Sequence, residues 1–165
     1  MASKIITQEY LRQILHYDPE TGIFTWLKTM PPRARKGAVA GHVAKNGRPI
    51  IGLHQKCYYS YRLAWLWMTG EWPIQDIDHK DGNPSNNRFS NLRLCTMSQN
   101  QQNRRKACGD THSGLLGVYP QAYGSWYARI KTNGKLIHLG TYITKEEAHA
   151  AYVKAKRKYH EFNQL

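Results

Sequence analysis

Two adjacent residues raise the question of chemistry. Asp78 and His79 follow Ile77 in the stretch from Asp76 to Asp81, which reads as the end of a β-strand. A carboxylate supplies a hard oxygen ligand of the kind that Mg²⁺ or Mn²⁺ prefers. An imidazole titrates near neutral pH and so takes a proton from water readily. Together they have the parts of a hydrolytic centre. Taken alone, the pair is explained at least as well by a surface hydrogen bond or a turn cap, so the neighbouring residues decide its weight.

Those neighbours follow an ordered plan. A polar loop, Gly82-Asn83-Pro84-Ser85-Asn86-Asn87, is followed by Asn91 and a short strand, Leu92-Arg93-Leu94-Cys95. Thr96 to Gln99 has the form of a capping box, with Thr at the cap and Gln three residues on. It opens a polar helix expected from Met97 to about Lys106, and Asn100 lies on it. The frame is strand, loop, strand, helix. Asn83, Asn86 and Asn87 are expected to brace the loop through side-chain to backbone bonds.

The run IDHKDGNPSNNRFSNLRLCTMSQNQQN, residues 77–103, resembles the HNH nuclease family and in particular its phage and intron homing-endonuclease branch. The resemblance implies a ββα-metal fold in which His79 is the general base, Asp78 binds a divalent metal, Asn91 holds the loop that orients the histidine, and Asn100 is the second metal ligand. Many members carry His where this chain has Asn100; a neutral amide oxygen there favours Mg²⁺ or Mn²⁺ over Zn²⁺. Phosphodiester hydrolysis needs an activated water, a cation over the developing charge and help for the leaving 3′ oxygen. The expected products are a 5′ phosphate and a 3′ hydroxyl.

The whole chain suits a polyanionic partner. Its 165 residues carry 24 Lys and Arg against 11 Asp and Glu, a formal net charge of +13, and an isoelectric point near 9.8. Such a surface attracts nucleic acid. The charge is +6 over residues 1–75, +2 over 76–110 and +5 over 111–165, so the acids concentrate around the candidate centre. Mean hydropathy is −0.68, and no apolar run approaches the length of a membrane span. The opening MASKIITQEY lacks a secretory apolar core, and a cytoplasmic protein is expected. Cys57, Cys95 and Cys108 contain no CxxC pair, which favours reduced thiols over a disulfide or zinc scaffold.

The segments on either side of the motif have their own patterns. In the first, Thr7 is placed to cap a helix with Tyr10, Leu11, Ile14 and Leu15 on one face. Asp18, Pro19 and Gly22 mark a turn before the strand Ile23–Trp26. Pro49–Leu53 and Cys57–Tyr61 read as strands, and Leu63–Met68 as a helix closed by Gly70. Arg33, Arg35, Lys36 and Lys45 are candidates to follow a DNA backbone, as are Arg88, Arg93, Arg104 and Arg105, with a solvated basic surface the competing explanation. His42, His54, His112 and His149 have no evident partners in the sequence.

In the last segment, Val118–Ala122, Ser125–Thr132 and Lys135–Tyr142 read as strands, with Asn133-Gly134 a strong hairpin signal and Thr144–Glu147 a second capping box. Trp126, Ala128, Ile130, Ile137 and Leu139 alternate toward the following helix. This segment resembles the APETALA-type, ethylene-response-factor-like DNA-binding domain through Ser113-Gly114, Gly117-Val118, Trp126, Ala128, Ile130, Leu139–Tyr142 and Glu146-Glu147-Ala148 with Ala151-Tyr152. That resemblance implies a three-stranded sheet laid in the DNA major groove. The outward positions are Tyr119, Gln121, Arg129, Lys131 and His138.

The expected architecture is α+β: an N-terminal segment over 1–72, a nuclease module over 73–108 and a DNA-binding domain over 109–165. The expected function is a metal-dependent endonuclease acting on double-stranded DNA as a monomer or weak dimer, with no membrane association. A DNA-binding regulator on a decayed nuclease fold is the alternative from another class, and a structural RNA binder a third.

Overall fold

The computed structural model describes residues 5–30, 34–104, 107 and 113–163. Arg33, Arg105, Lys106, Cys108 and His112 lie outside them. The fold is mixed α+β, and the described residues form four helices and four small antiparallel sheets. The chain divides into two compact units, Met1–Thr96 and Met97–Leu165.

In the first unit, Thr7 accepts a hydrogen bond from the Tyr10 amide and caps α1 (Gln8–Ile14). The expected helical face loses its last member: Leu15 is extended and opens β1 (Leu15–Asp18). It is still fully buried, so the chain changes from helix to strand without giving up the apolar contact. A tight turn then leads to β2 (Ile23–Trp26), paired antiparallel with β1. β3 (His42–Val43), β4 (Pro49–Leu53) and β5 (Lys56–Tyr59) form a meander. α2 (Ser60–Thr69) begins earlier than the sequence pattern suggests and takes Tyr61 from the strand into the helix. Its end is where expected, with the Gly70 amide bonded to the Leu66 carbonyl at 2.9 Å.

β6 (Asp76–His79) and β7 (Leu92–Cys95) pair antiparallel, with Asp78 opposite Arg93 and His79 opposite Leu92. Ile77 and Leu92 belong to the same buried cluster as Leu11, Leu15, Tyr17, Ile51, Leu63 and Leu66. One core therefore runs across residue 72, and the strands of the candidate centre are anchored in the N-terminal segment. Each fully buried aliphatic side chain there contributes about 1.5–3 kcal/mol.

The β1–β2 turn lies directly against the loop that ends at Asn87 and Arg88. Gly22, at φ +75°, lies against the backbone of Asn87 and Arg88; an added Cβ would sit 2.4 Å from both the Asn87 carbonyl carbon and the Arg88 nitrogen. The Phe89 amide bonds the Pro19 carbonyl at 3.2 Å, and the buried Tyr17 hydroxyl donates to the Asn87 carbonyl at 2.6 Å. Three contacts thus hold the end of the Asn-rich loop.

The second unit contains α3 (Met97–Gln102), which is shorter than the expected helix, and the sheet β8 (Val118–Pro120), β9 (Trp126–Thr132) and β10 (Lys135–Tyr142), with β9 central. Asn133 and Gly134 have φ of +48° and +77°, as a two-residue hairpin turn requires. Strand β8 stops at Pro120, short of Ala122. A turn of 3₁₀ helix over Ala122–Gly124 intervenes, with Tyr123 at φ +59°, and it leaves Gln121 off the strand. The Thr144–Glu147 capping box opens α4 (Lys145–Tyr159). Ala148, Tyr152 and Ala155 of α4 pack on Val118, Ala128 and Ile130 of the sheet.

Substituting Gly22 by Ala tests the turn contact. A non-glycine residue in the left-handed region costs about 1–2 kcal/mol by itself. Gly37, at φ +82° with nothing within 4 Å of an added Cβ, isolates that conformational cost. Gly22→Ala is expected to destabilise the protein clearly more than Gly37→Ala in denaturant unfolding. Equal losses would remove the close approach as a constraint.

Candidate active site

Asp78 and His79 end β6 and are both only 5% exposed. A buried carboxylate needs compensation. Cross-strand pairing provides it: Arg93 Nε and Nη2 donate to Asp78 Oδ2 at 2.9 and 2.7 Å. The structure thus uses Arg93 as the partner of Asp78. Losing one side of so buried a pair typically costs about 3–5 kcal/mol.

His79 is held by a residue that the sequence reading treated only as a loop brace. Its Nε2 lies 2.9 Å from the side-chain oxygen of Asn87. An amide oxygen only accepts, so Nε2 carries the proton and Nδ1 is the basic nitrogen. Asn87 is 2% exposed, and its own carbonyl is fixed by Tyr17. The edge of the imidazole meets Tyr61, at 5.3 Å between ring centres and 80° between planes. Burial lowers the His79 pKa below its usual value; the Asn87 bond opposes this, and the Arg48 charge adds to it. The ring is therefore neutral at pH 7 and able to accept a proton. Burial raises the Tyr61 pKa, which keeps its phenol protonated.

Asn91 organises the loop between the strands. Its side-chain nitrogen donates to Asp81 Oδ1 at 2.9 Å and to the Asn86 carbonyl at 2.8 Å, and its oxygen accepts from the Asp81 amide at 3.0 Å. Asp81 also accepts from the Asn83 amide and the Asn86 side chain. Burial pushes the Asp81 pKa up, yet these donors outweigh it and leave the carboxyl below its ordinary range. Asn83 and Asn86 brace the turn from their side chains to the Ser85 and Arg88 amides.

Asp78 brings a carboxylate, the donor type that a hard cation prefers, and Arg93 donates to its Oδ2. Among the described residues no group of three or more His, Cys, Asp or Glu is arranged to hold a metal. Burial, Asp78 and Asp76 push the Cys95 thiol up to about 11, so it stays protonated and is a poor ligand.

The remaining candidates belong to the second unit. Asn100 is exposed on α3, in the second unit. Arg104 is exposed there too, with its carbonyl accepting from the buried Lys156 ammonium. On the sheet, Tyr119 and Tyr127 stack at 5.3 Å, and the Arg129 guanidinium lies 4.2 Å from the Tyr119 ring centre. Tyr127 faces His138 at 5.9 Å, and Lys131 is exposed. Gln121 accepts from the Thr141 hydroxyl at 3.1 Å. No helix among the described residues is long and apolar enough to cross a membrane.

Asn87 could have been found from the sequence only by asking which residue fixes the tautomer of the base. Its side chain has the right chemistry, but so do those of Asn83 and Asn86 in the same loop.

No curated protein matches the chain, nor does any solved structure. Residues 58–102 match a family model described as HNH endonuclease. The match starts in β5, runs through α2, β6, the Asn-rich loop and β7, and ends with α3. It includes Asp78, His79, Asn87, Asn91, Arg93 and Asn100, and it supports a nuclease of the HNH type.

Proposed function

We propose that this chain is a metal-dependent DNA endonuclease whose general base is His79. The observation that carries the reading is a neutral, buried imidazole, fixed by Asn87 and adjacent in sequence to a carboxylate paired with arginine, within the segment that matches HNH endonucleases. His79 Nδ1 takes the proton from the attacking water. Asn87 holds the ring through Nε2, and Asn91 holds the loop that presents Asn87. Asp78 would hold a divalent cation, Mg²⁺ or Mn²⁺. When bound, that ion supplies charge stabilisation at the scissile phosphate and at the leaving 3′ oxygen.

A single centre of this kind cuts one strand per encounter, so the expected product is a nick with a 5′ phosphate and a 3′ hydroxyl. The phage and intron homing branch is the closest reading of the motif. The second unit is read as the positioning domain. Its sheet presents Tyr119, Tyr127, Arg129 and His138 on one aromatic and cationic face, and β-strands are one of the elements that read the major groove.

Supercoiled plasmid is expected to become open circle with Mg²⁺ or Mn²⁺ and to stay intact with EDTA. His79→Ala is expected to slow cleavage by about 10²–10⁴-fold and to leave DNA binding in place. Binding without cleavage by the wild type, on DNA that carries its site, would favour the regulator.

The acid side of the pH profile follows from the same geometry. The base must be deprotonated, and burial lowers its pKa from 6.5. Cleavage measured as kcat/KM is therefore expected to persist below pH 6.5 and to fall only as pH drops through the depressed value. A limb centred above 6.5 would remove His79 as the group responsible.

Asn91→Ala deletes three bonds of the loop at once. It is expected to cost about 1–3 kcal/mol of stability and to lower kcat more than DNA affinity. An unchanged kcat would show that the loop does not position the base.

A further inference from the structure

The segment before the family match places a cation beside the candidate base. Arg48 follows the Asn46-Gly47 turn, directly before β4. Its guanidinium carbon lies 5.5 Å from the Tyr61 ring centre and 6.0 Å from that of Tyr59. These two rings stack at 5.3 Å, and Tyr61 meets the His79 imidazole at 5.3 Å. The turn is fixed independently. The Arg48 amide bonds the Asn46 side chain at 3.2 Å, and the Ala44 amide bonds the Arg48 carbonyl at 2.9 Å. The Ser85 hydroxyl donates to the Gly47 carbonyl at 2.8 Å, which ties this turn to the loop that carries Asn87.

Among the described residues no carboxylate forms an ion pair with Arg48; the ion pair of this unit joins Arg93 to Asp78. A guanidinium lying over aromatic rings keeps its edge, with five N–H donors, free to meet two oxygens of a carboxylate or phosphate. A half-buried cation lying over the same tyrosine that meets His79, with no counter-ion among the described residues, is suited to receive an anion.

We propose that Arg48 binds the DNA phosphate that lies beside His79, so that the N-terminal segment contributes a substrate-binding residue to the site. This rests on the nuclease reading above. The tyrosine stack limits the rotamers of Arg48, so little side-chain entropy is lost when the phosphate binds. Its charge near the imidazole also favours the neutral, proton-accepting form.

The test separates binding from cleavage. In a His79→Ala background, affinity for duplex DNA is measured against KCl concentration by fluorescence anisotropy, with and without Arg48→Ala. Loss of one phosphate contact is expected to reduce the slope of log K against log salt by about 0.9. Arg48→Lys is expected to keep most of that slope, because it retains the charge. In the otherwise wild-type protein, both variants are expected to cleave about 10–100-fold more slowly, because a point charge does not reproduce the bidentate contact. An unchanged salt slope in Arg48→Ala overturns the proposal, even if cleavage falls, since Arg48 would then act only through Tyr61. If the wild type does not cleave, the nuclease reading fails while the salt slope still reports whether Arg48 holds a phosphate. A drop in thermal stability confined to Arg48→Ala leaves the Lys variant to decide: a full slope with slowed cleavage supports the contact, and wild-type cleavage by Lys overturns its bidentate form.

Discussion

The candidate site depends on one contact between backbones. Gly22 lies so close to Asn87 and Arg88 that no side chain fits between them. With the Tyr17 hydroxyl on the Asn87 carbonyl, it fixes the residue that in turn fixes the His79 ring. A base must be held to within about 0.5 Å and 10–20° of its productive geometry. Here that precision comes from a hairpin about 65 residues earlier in the chain, which is anchored in a core containing Leu15, Tyr17 and Phe24. The end of β6 and its loop supply the candidate chemical groups, and the N-terminal segment supplies the stiffness.

This division of labour explains why one core spans the first unit. A ββ pair of four residues per strand buries too little to stand alone. Ile77 and Leu92 place β6 and β7 on the same cluster as α1, α2 and the central meander strand. The second unit solves its own stability separately, with a capped fifteen-residue helix across a three-stranded sheet. Its apolar alternation faces α4 and leaves the opposite face to Tyr119, Tyr127 and Arg129.

Local signals made much of this legible. Thr7 and Thr144 cap their helices, Asn133-Gly134 turns its hairpin, and β7 and β10 have the expected ends. In each, a few adjacent residues decide the conformation. The misread elements are those decided from a distance. Leu15 looks helical by spacing, but it pairs with Trp26 as a strand. Tyr61 looks like strand by composition, but it belongs to α2, where it reaches His79. The candidate site divides in the same way. Asp78 and His79 stand out by type and adjacency. Asn87 and Arg48 do not, because their relevance comes from contacts with His79 and Tyr61 that only tertiary structure creates.

The charges around the site follow a consistent logic. A chain of net charge +13 that approaches a polyanion gains from every exposed cation and loses from every exposed acid. The two acids nearest His79 in sequence are both absorbed internally. Asp78 is neutralised by Arg93 across the strand pair, and Asp81 is surrounded by the amides of Asn83, Asn86 and Asn91. Neither presents an uncompensated negative charge to an incoming phosphate. Arg48 is the opposite case, a cation over aromatic rings with no carboxylate among the described residues paired to it. In the nuclease reading proposed above, the carboxylates would serve structure and metal, and Arg48 would leave a positive charge that a substrate phosphate balances only when it lies beside the candidate base.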